Sequence, residues 1–227
     1  MRNALRRVLQ VSVFFLFPAA GHAGTLSIRV EPPDAIKAIR KVPTWNIVLE
    51  GEIDPEAPAR VEAALKRAGP GGADVYINSP GGNLFAGMEI GRLLRRARVN
   101  THVGTLVPDL SRAAVARLAG RPAVKVLAGH CYSACSLAFL GGVRRTVPQG
   151  SEYGVHRFSV GSSPGESDLK TTRSAASAVM AYMRDMGVNP ALFDLMAKKG
   201  RSGIRILGEA ELVGLGVVNA GGKRSPE

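Results

Sequence analysis

Residues 127–142 read LAGHCYSACSLAFLGG, with the hydroxyl of Ser133 at the centre of a run of small residues. An apolar strand at 124–128 is expected to lead into this stretch, and an apolar helix to follow it. Small neighbours such as Ala134, Cys135 and Ser136 let another chain segment or a substrate carbonyl come close to the helix start. The first N–H groups of a helix have no internal partner and carry partial positive charge. A hydroxyl beside such groups is half of a nucleophile and oxyanion-hole arrangement. The other half must come from elsewhere, and two stretches offer it: 78–82 (NSPGG) and 154–157 (GVHR).

Upstream of this stretch the pattern alternates. Strands are expected at 25–30, 45–53, 73–78 and 99–103, with helices at 58–68 and 84–97. Strand, helix, strand, helix, strand in that order implies a parallel sheet with right-handed crossovers. Ligands of such sheets bind outside the carboxyl ends of the strands, where both 79–82 and Ser133 fall. A short helix at 109–118 separates the third strand from the Ser133 element. Downstream, a strand is expected at 143–147, a turn at 148–150 and a strand carrying His156. A Gly/Ser/Pro loop at 160–167 comes next, then helices at 168–186 and 190–198. The chain closes with a strand at 204–207, a helix at 209–215, a strand at 217–218 and a polar tail from 221.

A serine hydroxyl needs a base, and histidine is the usual one near neutral pH. His130 would have to fold back onto Ser133, and His102 lies within a strand. His156, at a glycine-flanked strand end, can fold across the helix start and is the preferred base. The glycines of Ser79-Pro80-Gly81-Gly82 permit left-handed backbone and close approach. The N–H groups of Gly81, Gly82 and Ala134 are the candidate oxyanion donors. Cys131 and Cys135 flank Ser133, and helical spacing would put their Cα atoms about 6 Å apart, inside the disulfide window. A bridge bracing the Ser133 turn and a pair of buried free thiols are both compatible with that spacing. No metal is expected, because His130, Cys131 and Cys135 have no fourth ligand at a usual spacing. No cofactor is required by this chemistry.

The ordered set NSPGG, small-residue serine helix, strand-borne histidine resembles the proteolytic subunit of the Clp protease and its relatives in the ClpP/crotonase superfamily. The resemblance spans roughly 47–219. The closing RIL, EA and GLGVV segments are similar to that family's last strand, helix and strand. CYSACSL with GVHRF, behind an export signal, looks more narrowly like exported Clp-like proteins of Gram-negative bacteria. The resemblance implies an α/β fold, a spiral of ββα units with a mostly parallel sheet flanked by helices. It further implies Ser133 as nucleophile, His156 as base, Gly82 and Ala134 as oxyanion donors, and a peptide or protein substrate. The superfamily's tendency to form rings leaves a homo-oligomer open. The family's orienting aspartate should fall near Gly203-Ile204, where no carboxylate stands. Asp168, Asp194 and Glu209 are the substitutes at hand, none placed by motif. Residues 105–125 are an insertion relative to the family pattern.

Composition frames this reading. Arg2, Arg6 and Arg7 precede an apolar run at 8–17, and Gly21 and Ala23 suit a cleavage site, so residues 1–23 read as a secretory signal peptide. The run is short for a bilayer span of about 20 residues; an uncleaved N-terminal anchor is the alternative. Cleavage would remove three arginines and no acid, lowering the formal charge from +12 to +9. The expected domains are 1–23 (signal), 24–44 (strand and linker), 45–220 (Clp-like domain) and 221–227 (disordered tail). The expected location is periplasmic or secreted. Scattered basic residues, 5% aromatics and export argue against nucleic acid as partner. Export also removes ATP, so no ATPase partner is expected.

Overall fold

The computed structural model describes residues 25–41, 44–69, 72–156, 166–198 and 203–219, with 166–172 described by backbone alone. The stretch read as a signal peptide (1–23), the tail at 221–227 and most of the 160–167 loop lie outside the described residues. Five strands build the main sheet: β1 (Ser27–Glu31), β2 (Trp45–Glu50), β3 (Ala73–Asn78), β4 (Asn100–Val103) and β8 (Arg145–Thr146). They lie in the order β1-β2-β3-β4-β8. β1 is antiparallel to β2, and the other pairs are parallel. The first two crossovers are α2 (Ala57–Ala68) and α3 (Leu84–Arg96). α2 buries Ala57, Val61, Ala64 and Ala68, a three-and-four spacing that lays one stripe on the sheet. Their partners are Ile47, Leu49, Val75, Ile77 and Val103, the alternate residues of the strands. This is the mixed, mostly parallel α/β architecture expected from the alternation.

A smaller three-stranded sheet, β10-β9-β7, continues from the end of β3. It contains β7 (His130–Tyr132), β9 (Glu152–Val155) and β10 (Arg205–Ile206). Here the expected strand at 124–128 is corrected. β6 (Val124–Leu127) pairs antiparallel with β5 (Thr105–Pro108), and β7 is the strand that delivers Ser133. The chain passes from one to the other at Gly129, where a Cβ would fall 2.8 Å from Asn78 Oδ1. That oxygen accepts the N–H of His130 (3.0 Å).

The opposite face of the main sheet carries Val48 and Tyr76, covered by Leu106 and Val124 of the β5–β6 ribbon. Between the ribbon's strands run a 3₁₀ turn (Leu110–Arg112) and α4 (Ala113–Ala119). α4 packs against α1 (Ala35–Ile39), a helix inside the stretch read as a linker. Pro32-Pro33 ends β1, and Asp34 then caps α1 by accepting the Lys37 N–H (2.8 Å). The strand expected at 217–218 is absent; the Val217 carbonyl bonds the Arg145 side chain instead (2.8 Å). α5 (Ala134–Leu140), α6 (Glu166–Asp185), α7 (Ala191–Lys198) and α8 (Glu209–Gly214) complete the described chain.

Two carboxylates tie the N-terminal elements to this frame. Asp54 accepts from Arg60 and from the Leu26 N–H (3.0 Å); the Arg60 hydrogen bond is the main reason its carboxyl sits well below the usual range. Burial alone would raise Asp74. Donors from His102, from Lys37 (2.6 Å) and from Asn100 (2.8 Å) outweigh it and hold it below that range. A carboxyl depressed on folding stabilises above its unfolded pKa, about 4, and loses that contribution as pH falls further. Acid unfolding is therefore expected to set in as pH drops below about 4. Asp74→Asn should flatten the acid limb of a stability–pH curve, because one depressed group no longer titrates.

Candidate active site

Three strand ends converge. β3 runs on past Asn78 into a parallel bridge, with Ser79 N–H to His130 O (2.8 Å) and Tyr132 N–H to Ser79 O (3.1 Å). This seats Ser79-Pro80-Gly81-Gly82 against the end of β7. β7 and β9 are parallel, with Tyr132 opposite Gly154, and the Ser133 N–H donates to Gly154 O (3.2 Å). Ser133 leaves the end of β7, and His156 follows Val155 out of the end of β9. The two are thus on neighbouring strands about 4.8 Å apart. Cys131, Tyr153 and Val155 point into the core. By the two-residue alternation His156, half-buried, shares the other face with Gly154.

Ser133 has φ 55° and ψ −123°, a left-handed backbone that side chains other than hydrogen rarely occupy. Immediately after it α5 begins with Ala134, and all seven residues of α5 are buried. The turn is clamped from two sides. Gly81, with φ 108°, lies so close that a Cβ on it would fall 2.6 Å from Ser133 Cβ and 3.1 Å from Ala134 N. On α3, a Cβ on Gly87 would fall 2.4 Å from the Ala134 carbonyl oxygen. Backbone at such sites holds strain only where its surroundings over-determine it, and it clusters at active sites.

The sequence leaves the Cys131–Cys135 pair open, and the structure joins the two as a disulfide with Cα atoms 5.2 Å apart. The bridge fastens the buried end of β7 to the first turn of α5 across Ser133. Closing so short a loop contributes about 2 kcal/mol through the unfolded chain. Its larger effect is on the turn. Reduction is expected to leave the far-ultraviolet circular dichroism unchanged while slowing modification of Ser133, measured by active-site labelling with and without reductant.

The donors separate. The Gly81 N–H donates to Ser79 Oγ (3.1 Å), so the donor role expected of Gly81 is already taken and its part is close approach. The N–H groups of Gly82 and Ala134 join none of the hydrogen bonds that hold this junction. Gly82 is exposed, and Ala134 is the first residue of a helix. Both can face a developing negative charge.

Ile204 occupies the place where the resemblance puts an orienting carboxylate. β10 runs antiparallel to β9 with Arg205 opposite Val155 and Ile206 opposite Gly154, which puts Ile204 across from His156. A Cβ on Gly154 would fall 2.4 Å from Ile204 Cγ2, so this isoleucine packs over Gly154. Asp194 lines a cleft with Lys198 and Glu211 between α7 and α8, and exposed Glu209 begins α8. Asp168 lies where only backbone is described.

Sequence reasoning passed over Tyr132 and Glu152. The Tyr132 hydroxyl donates to Glu152, which with burial pushes the phenol up to about 12. The Tyr132 ring stacks on His130 at 4.8 Å. Partners 20 residues apart leave no local signal; only the β7–β9 register pairs them.

No protein-family model matches the chain, and no curated protein matches it in sequence. Its fold is nonetheless that of ClpP-like proteins. A mutant of ClpP1 from Listeria monocytogenes superposes with a TM-score of 0.53 at 16% identity, covering 80% of this chain and 92% of that one. A mutant of the 1510-N membrane-bound stomatin-specific protease gives 0.52 at 16% identity over 75% of each chain. At that identity the likeness establishes the architecture, and the chemistry rests on the residues.

Proposed function

We propose that this chain is an exported serine peptidase that cleaves exposed peptide segments through an acyl-enzyme at Ser133. His156 takes the hydroxyl proton as Ser133 Oγ attacks the carbonyl carbon, then returns it to the leaving amine. The N–H groups of Gly82 and Ala134 stabilise the oxyanion of the tetrahedral intermediate. Water repeats the sequence to release the acid. One observation carries the reading: a serine in left-handed backbone at a strand–helix junction, with the Gly81 backbone pressed against it. That one structural neighbour is named a membrane-bound protease supports a peptidase within the hydrolases. Export, by cleavage after Ala23 into the periplasm or with residues 1–23 kept as an anchor, rests on the N-terminal sequence.

A second reading, a Clp-like binding or scaffolding module without catalysis, follows from the sequence, which has no carboxylate at Gly203-Ile204 where the resemblance places one. Losing an orienting carboxylate lowers turnover by about 10⁴ in triad enzymes. Fluorophosphonate labelling separates the two. The peptidase reading expects label on Ser133, abolished in Ser133→Ala and at least a hundredfold slower, on the order of a general base's contribution, in His156→Ala. Absence of label on folded, oxidised protein would establish the binding module.

A further inference from the structure

We propose that the outer face of the β5–β6 ribbon and its helices, residues 105–127, docks on an anionic lipid bilayer surface. Leu110 and Leu118 are 84% and 83% exposed, the two most exposed large apolar side chains among the described residues. α4 has no buried residue. Val115, Ala116 and Ala119 are half-buried on the side that meets α1, whereas Leu110, Ala114 and Leu118 are exposed. Positions four apart share one side of an α-helix, so Ala114 and Leu118 form an outward apolar stripe on α4, and Leu110 stands exposed on the 3₁₀ turn that precedes it.

Charge selects what covers the stripe. Arg112, Arg117, Arg121 and Lys125 surround it, all exposed. The only acid in the segment, Asp109, is 8% exposed and already paired with Arg112 at 3.3 Å. The end of α1 adds Ile39, 49% exposed, with Arg40 and Lys41. Apolar side chains standing out from a ring of Lys and Arg are what a helix needs to lie in an anionic headgroup layer. A second copy of this chain would bring the same cations face to face across a two-fold axis. A nucleic acid backbone would use the cations and leave the leucines in water. No helix among the described residues is long and apolar enough to cross a membrane, so the contact is peripheral.

The experiment uses the full chain with Leu118→Cys carrying an environment-sensitive nitrobenzoxadiazole dye. Cys131 and Cys135 are joined, so without reductant the new thiol labels selectively. Vesicles of phosphatidylcholine alone are compared with vesicles also containing phosphatidylglycerol. The expected result is a blue shift on the anionic vesicles only, reversed by salt. Adding Arg117→Ser and Arg121→Ser should weaken it about tenfold or more. A dye at Glu62→Cys, exposed on α2 across the sheet, should stay unshifted. The proposal is overturned if the position-118 dye is silent while the protein sediments with vesicles, if nothing sediments, or if neutral vesicles shift it equally. A concentration-dependent shift without vesicles would overturn it in favour of a second copy. None of these outcomes depends on Ser133 chemistry.

Discussion

Ser133→Gly is expected to abolish fluorophosphonate labelling and at the same time to raise the melting temperature. A non-glycine residue in so sparsely populated a backbone region carries strain of about 1–3 kcal/mol. Glycine relieves it but adds roughly 0.5–1 kcal/mol of unfolded-state freedom. The net gain of about 1 kcal/mol corresponds to a rise of about 2–4 °C for a chain of this size. Ser133→Ala removes the same nucleophile but keeps a Cβ at φ 55°, so it should match the parent in stability. Calorimetry of the three proteins reads the difference. A glycine variant that melts lower than the alanine variant would show that the turn holds no strain and that Gly81, Gly87 and the disulfide merely follow it.

The largest loss of stability is expected at Arg145, 2% exposed on β8. Its Nε donates to Val217 O (2.8 Å), Nη1 to Gly142 O (2.9 Å) and Leu140 O (3.1 Å), and Nη2 to Gly216 O (2.7 Å). Burial, and then the neighbouring Arg95, pull its pKa down to about 10, which leaves it charged at neutral pH. The guanidinium thus stands where carbonyls from the end of α5 and from the segment after α8 converge. Arg145→Met would strand these acceptors at 1–3 kcal/mol each, so a loss on the order of 4 kcal/mol is expected. Arg145→Lys should recover less than half of it, because three donors on one nitrogen cannot span carbonyls on several sides. Urea unfolding with an unchanged m-value would report the loss. Hydrogen exchange should accelerate first in 209–219, whose Asn219 also accepts the Arg145 N–H (2.8 Å). A loss under 1 kcal/mol would mean that water replaces the guanidinium.

Much of this was legible in the chain. The strand–helix alternation from 45 to 103 is written in two-residue and three-to-four-residue periods. Pro, Gly and Asn mark its ends at 54–58, 69–72 and 78–83. NSPGG at a strand end, a serine among small residues and a histidine after Gly154 sufficed to nominate the site. What misled was β6: VKVL is as good a strand as any. It reads as the strand that carries Ser133, because propensity does not say which partner a strand finds. Likewise α1 hides behind Pro32-Pro33, its only local mark being the Asp34 cap.

The sequence by itself determined the strand–helix alternation from 45 to 103, which residue types could do acyl-transfer chemistry, and that two cysteines flank the serine, since each depends on neighbours a few positions away. Tertiary structure alone decided that Gly81 presses against Ser133 and Ala134. It also decided that Ile204 stands opposite His156 in the β9–β10 register and that Arg145 gathers the carbonyls of two segments. Those outcomes are fixed by strand register and close packing between positions up to 72 residues apart. There a hydrogen bond or a collision is gained only once the whole sheet has formed.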